Sequence, residues 1–289
     1  MTSPKSIREI LAEKNLAPRK SLGQNFLIDG NILDKIAAAA DLDRSDRVLE
    51  VGPGLGALTA KLLERAGMVV AVEYDRGLYA ILTEQFATMT NLRLINCDFM
   101  EFDLRTLADA FPGGARSKIV ANLPYYITTP AIFKLVEAEI DWSVLVFLVQ
   151  KEVALRMTAA PGGKDYGALT VMLNYYGQVE KVGIVPKTVF YPAPQVESAI
   201  VRIRPSADPE RRALYPYLHR VVQAAFGQRR KTVLNALQNT VGNKETAGTI
   251  LTGLGIDPGR RGETLDSAEF VALARTLRFH LEENALRKP

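Results

Sequence analysis

Asn122-Leu123-Pro124-Tyr125 places an amide, a proline and an aromatic ring in four consecutive residues. That set suits one kind of chemistry. An amine conjugated to a purine ring is a poor nucleophile, because its lone pair is delocalised into the ring; it must pyramidalise before it can attack an electrophilic carbon. Acceptors aimed at its two N–H bonds favour that change, and the Asn122 side-chain oxygen and the Leu123 carbonyl supply two. Pro124 fixes the turn that presents them. Tyr125 can stack on the face of the base, a contact worth roughly 1–3 kcal/mol per base in comparable sites. No strong general base is needed if the proton leaves after the transfer, when the amine has become cationic and acidic. The rate then rests on in-line placement of the reacting atoms. A second aromatic, Phe190, opens the segment FYPAPQVES at 190–198, where the prolines make a stiff extended loop. It could close over the opposite face of the base, or simply pack.

The electrophile needs its own site. Glu50-Val51-Gly52-Pro53-Gly54-Leu55-Gly56 follows a strand-sized apolar run, and glycines such as Gly52 and Gly54 let backbone turn sharply and approach a ligand. The spacing is G-x-G-x-G, unlike the G-x-G-x-x-G of a pyrophosphate-binding dinucleotide fold. Glu73, seventeen residues after Gly56, ends the next apolar run, where a carboxylate can accept two hydrogen bonds from ribose hydroxyls. Asp98, in Asn96-Cys97-Asp98-Phe99, ends a third run and could accept from an adenine amine, with Phe99 close to the base. Ligands of open α/β sheets bind at the carboxyl ends of the strands. A purine nucleoside without a pyrophosphate fits this set, and S-adenosylmethionine is such a ligand. Cys97 itself reads as a small core residue.

The elements that must position these residues alternate along the chain. Strand-sized apolar runs occur at 47–51, 68–73, 92–96, 118–121 and 144–149, with helical spacing at 31–40, 57–65, 78–87 and 130–138. Such alternation predicts a parallel sheet with helices on both faces. Residues 166–176 read as another helix, and 179–185 and 198–204 as closing strands, the second alternating apolar and charged residues as an exposed edge does. A linker at 205–209 leads to helical spacing at 214–226, 231–238 and 268–283, broken by the glycine-rich stretch 253–259. The expected divisions are a basic, mobile arm over 1–28, a catalytic domain over 29–205 and a small all-helical domain over 206–289.

Composition sets bounds on function. Of the 289 residues 47% are hydrophobic and 24% charged, as in ordinary globular proteins, and no apolar run approaches the ~20 residues of a bilayer span. The amino terminus lacks the apolar stretch of a secretory signal. A single cysteine, Cys97, excludes an intramolecular disulfide, and two histidines (His219 and His280) distant from it argue against a zinc cluster. A cytoplasmic protein without metal is expected, and the absence of a heptad pattern points to a monomer. The net charge of +4 is uneven. Segment 1–28 carries five Lys/Arg against two acids and 206–289 thirteen against nine, leaving the middle net acidic. Basic flanks suit a protein whose edges touch phosphates, though charge alone equally allows a merely solvated surface. Arg229-Arg230-Lys231, at the start of an expected helix, is a candidate phosphate contact.

Together, Gly23-Gln24-Asn25-Phe26-Leu27, the 50–56 loop, Glu73, Asp98-Phe99, Asn122–Tyr125 and the 190–198 loop resemble, in order, the motifs of the bacterial 16S rRNA adenine N6,N6-dimethyltransferase family. A sister family methylates adenine of 23S rRNA and confers macrolide resistance. The helical tail, including Phe226-Gly227-Gln228-Arg229-Arg230-Lys231-Thr232, is more similar to the 16S branch. The resemblance implies a Rossmann-like class I methyltransferase fold with a mostly parallel seven-stranded sheet. It implies Asn25 and Leu27 beside the methionine moiety of S-adenosylmethionine, Gln24 towards the substrate, and Gly52, Glu73, Asp98 and Asn122 in contact with the cofactor. It further implies dimethylation of two adjacent adenosines in a hairpin near the 3′ end of 16S rRNA, four methyl transfers per particle, with an immature 30S subunit as substrate and a role in its assembly. Three other readings stay open: a 23S rRNA adenine N6-methyltransferase of the macrolide-resistance type, a nicotinamide-dependent oxidoreductase, disfavoured by the glycine spacing, and a non-catalytic RNA-binding assembly factor.

Overall fold

The computed structural model describes residues 4–19, 22–107, 110–111, 117–138, 140–227 and 231–286. Its contacts divide the chain into two compact units, one made of 1–154 with 180–205, the other of 155–179 with 206–289. The stretch 155–179, which the sequence reading put with the catalytic domain, therefore clusters with the carboxyl-terminal helices.

The first unit begins with helix α1 (Pro4–Glu13), a two-residue strand β1 (Phe26–Leu27) and helix α2 (Gly30–Ala39), whose first turn is capped by the Asp29 carboxylate accepting from the Ile32 N–H. Strand–helix units follow: β2 (Arg47–Val51), α3 (Ala57–Leu63), β3 (Met68–Glu73), α4 (Arg76–Gln85), β4 (Leu92–Asn96), β5 (Ser117–Asn122), α5 (Thr128–Glu137) and β6 (Trp142–Gln150). Strands β2 to β6 pair in parallel. The runs of Val, Ile and Leu in β2, β3, β5 and β6 are largely buried, so the sequence there reads as continuously apolar, while β4 at the sheet edge is only partly covered. Helix α6 (Lys151–Met157), helix α7 (Ala168–Tyr176), strand β7 (Gly177–Val185), the short β8 (Phe190–Tyr191) and β9 (Ser198–Pro205) complete the order β4-β3-β2-β5-β6-β9-β7 in one seven-stranded sheet. Strand β8 pairs instead with β1, antiparallel.

Two expectations are corrected here. The arm over 1–28 is ordered where it is described: Ile7 and Leu11 of α1 are buried in a cluster with Phe26, Leu55, Leu78 and Ile81. The Arg8 guanidinium lies 5.1 Å from the Tyr191 ring centre, and its Nε donates to the Tyr191 hydroxyl at 3.0 Å. Nor is β9 an exposed edge; it lies inside the sheet, antiparallel to β6, and the edge is β7. The charges that suggested an edge, Arg202 and Arg204, reach across to Glu180 on β7, with Arg202 Nη2 at 2.6 Å from its carboxylate.

In the second unit, α7 packs against α8 (Arg211–Gly227) and α11 (Ser267–Leu286), α8 also meets α9 (Val233–Val241), and α9 pairs with α10 (Lys244–Gly253). Phe226 stacks on Phe270 with ring centres 5.6 Å apart and meets Tyr166 edge-on at 6.0 Å. Helix α9 is started by the Thr232 hydroxyl accepting from the Asn235 N–H, so Lys231 lies just outside the helix and is exposed. Arg229 and Arg230 lie outside the described residues. Helix α10 was not anticipated. Among the described residues no helix is long and apolar enough to cross a membrane.

Candidate active site

The parallel strands all end at one edge, and a cleft of about 1080 Å³, open solvent at its mouth included, lies there. Most residues singled out in the sequence line it: Gln24, Asn25, Leu27, Gly52, Gly54, Glu73, Asp98, Phe99, Asn122, Leu123, Pro124 and Tyr125. The turn after β2 is shaped by glycine. Gly52 has φ +70°, and a Cβ there would press within 3.2 Å of Pro124. At Gly56, with φ +80°, it would come within 2.6 Å of the Phe86 ring. Only glycine adopts that backbone cheaply while letting the loop pass under the Asn122–Tyr125 segment.

Glu73, at the end of β3, is buried and organises that loop. One carboxylate oxygen accepts from the Gly54 N–H at 3.1 Å, the other from the Asp75 N–H at 2.8 Å. Burial raises its pKa to about 7, against those two bonds, which lower it. Asp75 in turn caps α4, accepting from the Gly77 and Leu78 N–H groups, and pairs with the Arg19 guanidinium at 3.1 Å. The Gln24 amide donates to Asp75 at 3.3 Å and accepts from the Arg19 N–H at 2.7 Å. The arm is thereby fastened beside Glu73, with the Gln24 side chain engaged in that fastening. Asn25 donates to the Gly23 carbonyl at 2.9 Å.

Asp98 follows β4 and accepts from the Met100 N–H at 2.8 Å. Phe99 is buried beside it, under the Lys134 ammonium, whose Nζ also donates to the Phe99 and Met100 carbonyls at 2.9 and 2.7 Å. Lys134 thus ties this turn to α5, the helix that begins directly after the Asn122–Tyr125 segment. Sequence reasoning missed Lys134, because a lone lysine on a helix carries no local signal of what it grips. Cys97, expected in the core, lies past the end of β4, half-buried in the cleft lining.

Asn122 is the last residue of β5, paired with Leu148 on β6, and the Leu123 N–H donates to the Leu148 carbonyl at 3.2 Å. The Pro124 carbonyl accepts from the Ile127 N–H and the Thr128 hydroxyl, which starts α5. The Tyr125 hydroxyl meets the buried Ser198 hydroxyl at 3.0 Å; burial raises the Tyr125 pKa, with Ser198 opposing. Ser198 opens β9, so the ring of Tyr125 is set by a strand far along the chain. Ser198→Ala removes one hydrogen bond, worth about 1 kcal/mol. About a fivefold fall in turnover is expected, with cofactor affinity unchanged in a binding titration.

Phe190 is placed differently. It pairs with Leu27 across the β1–β8 ribbon, is 4% exposed, and belongs to the hydrophobic core rather than to the cleft lining. Side chains alternate along a strand, so this register turns Phe190 inward. Tyr126 and Tyr74, not singled out from the sequence, stand exposed at the cleft instead.

Glu50, on β2, is 1% exposed and its pKa is raised to about 8, first by burial, with the Thr59 hydroxyl opposing and Glu73 adding to the rise. Both Glu50 and Glu73 start from an ordinary 4.5. Between that value and about 8 the folded chain holds protons that the unfolded chain has released, so stability falls as pH rises through this window. In thermal melts of the ligand-free protein, the advantage of Glu50→Gln over wild type should grow from pH 5 to pH 8. A pH-independent difference would contradict the assignment.

The comparisons with known proteins bear on the whole chain. The model of the family described as ribosomal RNA adenine dimethylase matches residues 15–278. A ribosomal RNA small subunit methyltransferase A from Moorella thermoacetica is 47% identical over 286 residues, covering 96% of this chain and 98% of the relative. The protein of that name from Halothermothrix orenii is 45% identical, covering 98% and 96%. Among solved structures, a dimethyladenosine transferase from Plasmodium falciparum superposes with a TM-score of 0.74 at 29% identity, covering 88% of this chain and 98% of that one. A 23S rRNA methyltransferase superposes with a TM-score of 0.65 at 28% identity, covering 88% and 100%. With these motifs gathered in one cleft and a match that runs through both units, the chain belongs to the ribosomal RNA adenine dimethylase family.

Proposed function

We propose that the protein dimethylates N6 of two adjacent adenosines in the 3′-terminal hairpin of 16S rRNA, acting as a cytoplasmic monomer on an immature 30S subunit and contributing to its assembly. One observation carries the reading: Asn122–Tyr125 shares a single cleft with Gly52, Glu73 and Asp98 at the carboxyl edge of the sheet.

The cleft suits S-adenosylmethionine on its own terms. It offers a glycine turn that a Cβ would obstruct, carboxylates at the ends of β3 and β4, and no Lys, Arg or His among its described lining residues to hold a pyrophosphate. Glu73 would hold the ribose, Asp98 and Phe99 the adenine, and Asn25 and Leu27 the amino-acid end. When bound, the cofactor supplies an electrophilic methyl group on a sulfonium.

The chain's own contribution is placement. Asn122 and the Leu123 carbonyl accept from the adenine N6 amine and favour its pyramidal form, while Tyr125, held by Ser198, sets the plane of the base. This is electrostatic and positional catalysis, with water kept from the reacting atoms by the arm over 22–27. Phe190 is proposed to stack on the second face of the base after rotating out of the core. Lys231, with Arg229 and Arg230, is proposed to contact RNA phosphates.

Transfer of tritium-labelled methyl groups into purified, undermethylated ribosomal subunits tests the reading. Label is expected in small-subunit RNA. Label confined to large-subunit RNA would move the protein to the 23S branch, and no label in either would favour a non-catalytic assembly factor.

A further inference from the structure

Two tyrosines at the cleft keep about half of their surface open to water, Tyr74 at 50% and Tyr126 at 48%. An aromatic ring left this open adds little to the core, and at the mouth of a site it offers its face to a ligand. The two belong to different halves of the cleft. Tyr74 follows Glu73 at the end of β3, on the side read as holding the methyl donor. Tyr126 follows Tyr125, on the side read as holding the acceptor base, two residues before α5. Tyr125 is already committed, half-buried with its hydroxyl on Ser198 at 3.0 Å. The face of Tyr126 is free to take a partner.

The surroundings select that partner. Glu73 and Asp98 share the lining, which holds no Lys, Arg or His among the described residues, so a phosphate is disfavoured there and a neutral base is accepted. Stacking on an aromatic ring suits any base, because every base has a π-face. A nucleotide drawn out of its stack to reach Tyr125 also strips the base beside it of a neighbour. We infer that Tyr126 stacks on the base adjacent to the adenosine held by Tyr125, so that the two members of the target pair occupy two successive tyrosines while one of them is methylated. This rests on reading the protein as a dimethyltransferase of two adjacent adenosines. Tyr126 makes and breaks no bond; it is a positioning residue for the nucleotide that waits, keeping it on the protein instead of returning it to the hairpin stack.

The test uses the full chain and small subunits reconstituted with undermethylated 16S rRNA, either intact or abasic at one adenosine of the pair. Tyr126→Leu removes the aromatic face and keeps an apolar side chain; Tyr126→Phe keeps the face. On intact subunits Tyr126→Leu should raise the KM for the subunit on the order of tenfold with kcat within about twofold, and Tyr126→Phe should match wild type. On abasic subunits, wild type should itself show the raised KM for the remaining adenosine, and Tyr126→Leu should add no further loss. An equal loss on intact and abasic subunits, or no loss on intact ones, would overturn the inference. S-adenosylhomocysteine affinity, read by calorimetry without RNA, should be the same in all three proteins; weaker binding by Tyr126→Leu would put the ring against the donor and overturn it as well. Wild-type protein that leaves intact subunits unmethylated would overturn the proposed function and the inference with it, a distinct result.

Discussion

Asn122→Ala should lower methyl transfer by about 10²–10³-fold while leaving RNA binding intact. The size follows from what is lost: a preorganised polar group aimed at charge that develops only in the transition state. Asn122 ends β5 with its backbone tied to β6, so truncating the side chain leaves the turn in place. The defect should thus fall on turnover, with the affinity for small-subunit RNA, measured by filter binding, within about twofold of wild type. Single-turnover transfer at wild-type rate would remove Asn122 from the mechanism.

Glu73→Ala should fail in the opposite sense. Glu73 accepts two backbone hydrogen bonds that shape the glycine turn and stands where the ribose is expected. Bonds to a charged acceptor contribute about 1.5–3 kcal/mol each. Losing this carboxylate should weaken S-adenosylhomocysteine binding by about 10²-fold in calorimetry, with turnover largely recovered when the methyl donor is raised well above its new dissociation constant. A variant with normal affinity and low turnover would assign Glu73 to chemistry rather than to binding. The two substitutions would separate the proposed halves of the site, Asn122 for the acceptor amine and Glu73 for the donor.

Much of this site was legible because it is local. The glycine turn, Glu73, Asp98 and Asn122 each follow an apolar run, and parallel strands bring all such ends to one edge whatever the loops between them do. What the sequence hid is long-range. The Tyr125–Ser198 contact joins residues 73 positions apart, and the Gln24–Asp75 contact residues 51 apart. Nothing in either segment names its partner. Helix α1 escaped notice because ten residues with Pro4 at the first position look like a polar arm until Ile7 and Leu11 find a pocket. Strand β9 was misread for a related reason: Arg202 and Arg204 mimic a solvent-facing edge, yet both reach Glu180 on the neighbouring strand. Phe190 shows another limit: nothing in the 190–198 segment names β1, the distant strand whose register buries its ring.

Mass spectrometry of nuclease digests tests the central claim most directly. Immature small subunits would be incubated with the protein and S-adenosylmethionine, and the 3′-terminal hairpin of 16S rRNA excised. The account predicts N6,N6-dimethyladenosine at two adjacent positions, and none with Asn122→Ala. A hairpin that remains unmethylated after full incubation, or methyl groups found on any atom other than adenine N6, would contradict it.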